Sequence, residues 1–474
     1  MQFEKQVCKQ VSDQPAYITS EHMLRMQRAS MIRYDRTLNE ANFLPLFFSY
    51  ADELANIADS FMKEYSIPQL CHIQAKTDID VSQYISGLVR SAKSLPMVIK
   101  KAPIISSTNR QTLLPMKSSY DLVYHFFADQ KLDAVEFAQK LANLYNHNFK
   151  VIPTANGAVI IDPSTSKETI IQKSCEYTPY DKSIEIPPLE EVETPEVSTI
   201  EKLAEFVHQP KENLVKAVMY SVEGKLVFVN IRGDLEVSEE KLRHYLGLTD
   251  SSIPVELAPA NLLERHGLVP GFSGLVGVKR ASECVLLCDN SVTTVGCGVT
   301  GADKQDYHFI NFNVERDTKK IAKFIHYADV AENPEKVEGS IVAEISDCRD
   351  FYPDMIGLDS KPTKTPLYKV TIRLVDLVAA TLGLSRKIRG AYVINVGKDE
   401  TKLNVTTEEL LKYCRPECIV IDNRAKPNFG GKMQLAQMML FQYVIVVSNK
   451  LDAETVSVND QPVKIVDLGT IFSS

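Results

Sequence analysis

The chain has 474 residues, 44% of them hydrophobic, which is enough for several domains, each with a core of its own. A formal charge of −8 excludes a generally basic nucleic-acid coat, although an acidic protein can hold a local basic groove. Nine cysteines are scattered, no basic and apolar leader opens the chain, and no apolar run reaches the roughly 18 residues of a membrane span, so the expectation is a cytoplasmic protein with reduced thiols and no membrane contact.

Residues 185–199 combine three prolines with five carboxylates and no period, which reads as a linker. Ser198-Thr-Ile-Glu201 has the form of a capping box, after which Ile200, Leu203, Ala204 and Val207 recur at helical spacing. Two strands, Val215 to Val222 and Lys225 to Arg232, flank a turn at Glu223-Gly224 and predict a hairpin. Period-two alternation puts Lys216 on one face with Val218 and Tyr220, a cation among mainly apolar neighbours that needs an anionic partner. Two glycine-rich stretches follow, Gly271-Phe-Ser-Gly274-Leu-Val-Gly277 and Gly296 to Gly301-Ala302-Asp303, dense enough for backbone amides to approach a ligand. Cys284-Val-Leu-Leu-Cys288 lies in an apolar run that reads as a buried strand, and no histidine pair at finger spacing accompanies it or Cys414/Cys418, so these are read as structural cysteines with no metal. From residue 389 onward, apolar strands such as Ala391 to Val396 and Tyr443 to Val447 alternate with helical segments in an α/β pattern.

The blocks Thr199 to Phe206, Leu214-Val-Lys216-Ala, Gly224 to Arg232-Gly233-Asp234, Gly271-Phe-Ser-Gly274, Gly301-Ala302-Asp303 and Tyr307-His308-Phe-Ile-Asn311 resemble, in this order, the insertion domain of bacterial-type prolyl-tRNA synthetases. The resemblance implies a domain that hydrolyses alanine wrongly esterified to the proline tRNA, with Lys216 essential and close to the end of the tRNA, where a phosphate neutralises it. Loop amides around Gly271, Gly274, Gly301, Ala302 and Asp303 would hold the ester carbonyl while water attacks, a small cavity would exclude proline, and no metal or other cofactor is needed for editing. His308 either lines this pocket or is a satisfied core histidine. Where the family has proline after the second loop glycine, this chain has Leu275, which puts the rigidity of the loop in question.

The flanks resemble the rest of the same class II family. Residues 21–50 are similar to its first conserved block, whose helix and strand build a dimer interface, and this implies a homodimer. Residues 88–96 and Pro115 to Asp121 resemble the two ends of its second motif, but Lys101 to Thr108 lacks the Arg-x-Glu between them, and Arg110 is out of register. Thr371-Ile-Arg-Leu-Val-Asp376 aligns with Gly-Ile-Gly-Val-Ser-Arg of the third motif, so both glycines gain bulk and the arginine becomes an acid that repels triphosphate. Thr77-Asp-Ile-Asp80 is a shortened remnant of the proline-recognition loop, and Val342-Ala-Glu-Ile replaces a Gly-His segment. Asp422-Asn-Arg424 and Lys432 resemble the tRNA-binding block of the anticodon-binding domain, with Asn428, Phe429 and Tyr443 as stacking and edge-reading candidates.

The expected fold is therefore α+β. Residues 1–184 and 317–388 would form a class II synthetase-like antiparallel sheet core, 200–316 an inserted editing domain, and 389–474 an α/β anticodon-binding-like domain. Three functions are compatible with the residues: a ligase-deficient tRNA-binding deacylase, a divergent active ligase using ATP and magnesium, and a non-catalytic tRNA-binding or regulatory pseudo-synthetase. The first two take tRNA, most naturally the proline tRNA, as partner, the third senses tRNA or partners with another protein, and none implies DNA.

Overall fold

The computed structural model describes residues 20–35, 40–66, 71–73, 81, 91–107, 118–175, 177–178, 180–248, 253–279, 281–357, 361–397 and 399–472. The chain divides into two compact units, one built from the residues up to Thr169 together with Val337 onward, the other from Ile170–Lys336.

The first unit is organised on a seven-stranded sheet. Its spatial order is Cys71–Ile73, Met97–Ser107, Ser118–Phe127, Leu367–Arg373, Ser340–Asp347, Gly157–Asp162 and Lys150–Thr154. Only the first pair is parallel, and every later pair is antiparallel. Helix Pro45–Glu64 opens with proline at its first turn, where the missing N–H costs nothing. Helix Ala134–Tyr145 is capped by the Asp133 carboxylate, which accepts from Val135 N and Glu136 N. With helix Leu374–Thr381, all of whose residues are buried, they pack the apolar positions of the sheet into one core containing Phe47, Tyr50, Phe137, Tyr368 and Val378. The C-terminal part of this unit has the expected α/β pattern, with strands ordered Ile419–Asp422, Ile388–Asn395, Phe441–Val447, Thr455–Val458 and Gln461–Lys464. The first three are parallel and the rest antiparallel. Tyr392, Ile394 and Val420 join the same core as Phe47, so these strands share packing with the seven-stranded sheet's helices.

The second unit contains a mixed five-stranded sheet ordered Val255–Leu257, Val215–Val222, Lys225–Arg232, Val285–Asp289 and Ile325–Ala328. The hairpin forms where the sequence predicts it, and Glu223 and Gly224 both take positive φ, 49° and 75°, the geometry that matches a two-residue turn to strand twist. A separate three-stranded sheet joins Gly298–Gly301, Tyr307–Phe312 and Glu190–Glu193.

Two readings need correction. Residues 185–199 are not wholly a linker, because Glu190–Glu193 pairs antiparallel with Tyr307–Phe312 at the edge of the small sheet. A four-residue acidic edge strand has backbone partners on one side only and carries no apolar alternation, so composition hides it. The helix start falls one residue later than the capping-box reading: Thr199, not Ser198, is the N-cap of helix Ile200–Val207, its hydroxyl accepting from Lys202 N. Among the described residues, no helix is long and apolar enough to cross a membrane.

Candidate functional site

Lys216 is the second residue of strand Val215–Val222 and lies opposite Ile231. Its neighbours on that face are as apolar as expected, Val218 packing with Ile231, Leu235 and Ala331. Its anionic partner is Glu236, whose Oε1 accepts from Lys216 Nζ at 2.8 Å. The lysine side chain is 18% exposed and the glutamate 57%. An ion pair with one exposed member is worth about 0–1 kcal/mol, so Glu236 holds the lysine only weakly.

The two glycine stretches stack on one another beside this strand. A parallel bridge joins Leu214, two residues before Lys216, to Val299 in the second glycine stretch. A Cβ on Gly301 would stand 2.3 Å from Phe272 O, and one on Gly274 2.6 Å from Gly301 O, so the two loop backbones touch in a way that only glycine allows. Asp303, at φ 56°, fastens the stack: its N–H donates to Phe272 O at 2.8 Å, and its Oδ1 accepts from Gly274 N at 3.3 Å. That amide is therefore engaged, whereas the sequence reading reserved it for a carbonyl oxygen. Burial pushes the Asp303 carboxyl up to about 6, against the opposing hydrogen bonds from Gly274 and Ser273. Ala302 N donates to Tyr307 O at 3.3 Å, closing the turn into the next strand.

His308 is 3% exposed, with Nδ1 at 2.7 Å from Thr194 Oγ1 and its ring 5.4 Å from that of Phe272. Burial lowers its pKa to about 4, against a hydrogen bond with the Gly271 backbone, so the ring is neutral at physiological pH. It sits as a packed support under the first glycine loop. Leu275 is fully buried in the core with Leu268 and Val278, and this apolar anchor fixes the loop where the family has proline.

Two further polar groups escaped the sequence reading. Asn230 is fully buried with neither amide atom hydrogen-bonded among the described residues, and Thr300 Oγ1 is likewise unpartnered. Asn230 pairs across the sheet with Ala217 and Cys288, and a Cβ on Gly274 would meet Thr300 Oγ1 at 2.7 Å. The signal for Asn230 was present in Val227-Phe-Val-Asn230-Ile, a polar residue at a core-facing position of an apolar strand.

Residues 194–318 match the family described as the aminoacyl-tRNA editing domain. The chain is 35% identical over 170 residues to the proline-tRNA ligase of Halothermothrix orenii, covering 35% of this chain and 28% of that one. It is 28% identical over 239 residues to the proline-tRNA ligase of Staphylococcus aureus strain Newman, covering 50% of this chain and 41% of that one. The chain is prolyl-tRNA synthetase-like and carries an aminoacyl-tRNA editing domain. A solved Giardia lamblia prolyl-tRNA synthetase in complex with prolyl-adenylate aligns with 94% of this chain and 74% of its own, at 9% identity and a TM-score of 0.42, too low to carry an argument about fold or site. The two bacterial matches reach well under half of each relative's length.

Elsewhere in this synthetase-like chain, the segment aligned with the third motif is committed to internal ion pairs. Arg373 donates to Glu344 on the adjacent strand, and Asp376 is 3% exposed in the first turn of helix Leu374–Thr381. Lys167 is held below its ordinary range by burial, and the charges of Asp376 and Arg373 act on it in opposite directions. Val342-Ala-Glu-Ile lies within strand Ser340–Asp347, and Lys101 to Ser107 within strand Met97–Ser107. Thr77 to Asp80, Thr108, Arg110 and Pro115 to Lys117 lie outside the described residues. In the C-terminal region the three tRNA-binding candidates meet one another. Asp422, fully buried, accepts from Arg424 Nε and Nη2 at 2.9 and 2.8 Å and from Tyr392 OH at 2.8 Å, while Lys432 Nζ donates to Asp422 O at 3.1 Å. Burial works to raise the Asp422 carboxyl, yet the bonds from Arg424 and Tyr392 outweigh it and hold it below the usual range. Asn428 caps helix Phe429–Met438, Phe429 is exposed, and Tyr443 is buried with its hydroxyl on Ile471 O.

Proposed function

We propose that this protein binds tRNA and hydrolyses mischarged aminoacyl-tRNA, with alanine on the proline tRNA as substrate, through its editing domain, and that it forms no prolyl-adenylate. The observation that carries the reading is Lys216, on the strand bridged at Leu214 to the second glycine stretch and ion-paired with a mostly exposed carboxylate. In this mechanism a phosphate near the 3′ end of the tRNA displaces Glu236 from Lys216 and anchors the acceptor end. The ester then lies against the loop pair. Water attacks the carbonyl carbon, the bond to the ribose oxygen breaks, and that oxygen takes up a proton as alanine leaves. Neutral His308 and the Asp303 strap hold the loops in shape, and in this reading selection is by size, a small site admitting alanine and excluding proline.

ATP and magnesium belong to the ligase reaction, and the residues at the third-motif positions do not fit a triphosphate. The aligned arginine is Asp376, and Arg373 is neutralised by Glu344. No step is derived through them. The protein is read as a cytoplasmic homodimer in which the synthetase-like body serves to grip tRNA.

The test is release of labelled alanine from alanyl-tRNA bearing the proline anticodon, with Lys216→Ala alongside and proline-dependent pyrophosphate exchange run on the same preparation. The expected result is hydrolysis by the wild type, about 100-fold less by the variant, as for loss of the anchor that positions the ester, and no exchange. Exchange above background would restore the ligase reading. Hydrolysis unaffected by Lys216→Ala would remove this site.

A further inference from the structure

If the protein grips tRNA, which is the reading this inference rests on, the grip needs accessible cations, and Arg424 and Lys432 are spent on Asp422. The same compact unit carries another basic surface. A cleft of about 1170 Å³ is lined by Lys140, Arg386, Lys387 and Arg389, with Glu53 and Glu64 as its only acids among the described residues. In a chain of net charge −8, four cations face two carboxylates on this lining, with Glu136 paired to Lys140 at 2.7 Å beside it, which leaves a local surplus of positive charge. Burial pushes the Glu53 carboxyl up to about 7, even with Arg389, Arg415 and Arg386 nearby, which weakens the negative charge on this wall at neutral pH. We propose that this cleft holds the sugar-phosphate backbone of the bound RNA.

The walls are built to keep the guanidinium groups in place. Arg386 Nη2 donates to Leu144 O at 2.7 Å and Arg389 Nη2 to Phe472 O at 2.8 Å, which fixes both side chains at their ends. Lys387 is exposed at the turn before strand Ile388–Asn395, and Lys140, on helix Ala134–Tyr145, is 54% exposed and paired with the 63% exposed Glu136, a partner that an incoming phosphate displaces at small cost. Asn56 and Asn143 add amides of the kind that bond phosphate and the 2′-hydroxyl.

The experiment uses the full chain and labelled, uncharged proline tRNA, with binding followed by fluorescence anisotropy over a range of KCl. Lys140→Ala/Lys387→Ala is expected to bind about tenfold more weakly at low salt, and its log–log salt slope to fall by roughly 1.5 to 2, as for two lost phosphate contacts. Lys140→Arg/Lys387→Arg keeps both affinity and slope. An affinity and slope that do not change in the alanine pair, or no tRNA binding by the wild type, overturns the proposal. Deacylation measured in parallel separates the two readings: the alanine pair raises KM and leaves kcat, whereas a chain that binds tRNA through the cleft but releases no alanine loses the editing reading and keeps this one.

Discussion

The editing domain and the third-motif segment of the synthetase-like core both place a cation on a strand beside loop or helix backbone, and they treat it in opposite ways. Lys216 is paired with a carboxylate that is mostly in water and can be exchanged for a ligand at small cost. Arg373 is paired with Glu344 where both side chains are largely covered, and the next charged position, Asp376, is a buried acid. Glu344 is less exposed than Glu236, 30% against 57%, so a nucleotide phosphate displaces it less readily. A site is kept usable by leaving its charge weakly satisfied, and it is closed by satisfying it internally.

The largest expected effect comes from disturbing the loop stack. Gly301→Ala sets a methyl 2.3 Å from Phe272 O, and backbone on both sides leaves nothing flexible to yield. The loops must separate, and alanine release is expected to fall about 100-fold in kcat, on the scale of losing one preorganised contact, with KM for tRNA little changed. Steady-state kinetics on the alanyl ester check this, and near wild-type kcat would show that the stack does not shape the site.

The same comparison shows what was legible beforehand. The hairpin, its turn and the buried Cys288 strand were readable because alternation and turn chemistry are local. The stacking of Gly274 on Gly301 was not, since it joins segments 27 residues apart and depends on no residue pattern beyond two glycines that would serve equally in ordinary turns. The exposed partner of Lys216 was also hidden, because Glu236 is one acid among 61 acidic residues and only the fold brings it to the strand. Arg424 and Lys432 read as tRNA-binding cations, and the fold turns them toward Asp422, which is buried at the end of its strand and needs their charge.

A smaller effect follows from Asp303. Its folded value of about 6 lies above the ordinary 3.8, so between roughly pH 4 and 6 the folded domain holds a proton that the unfolded chain has lost. Stability from this group is therefore present at low pH and is lost as pH rises through 6. Wild type should lose about 1–3 kcal/mol between pH 4 and 7 relative to Asp303→Asn, a range that allows for its partial exposure. Urea unfolding of both proteins at the two pH values measures the difference, and parallel pH dependence would mean that the carboxyl is better solvated than its surroundings imply.

The smallest expected effect bears most directly on how the two cations differ. Glu236→Gln removes the charge that competes with tRNA phosphate for Lys216 and leaves a side chain of the same length. Because the exposed pair is worth only about 0–1 kcal/mol, the KM for alanyl-tRNA should fall by at most about fivefold with kcat unchanged. The opposite sign, a rise in KM or a loss of kcat, would mean that Glu236 orients the lysine for catalysis. Lys216 would then resemble Arg373, a charge fixed by its partner, and the contrast between an open and a closed cation would have to be drawn from the loops alone.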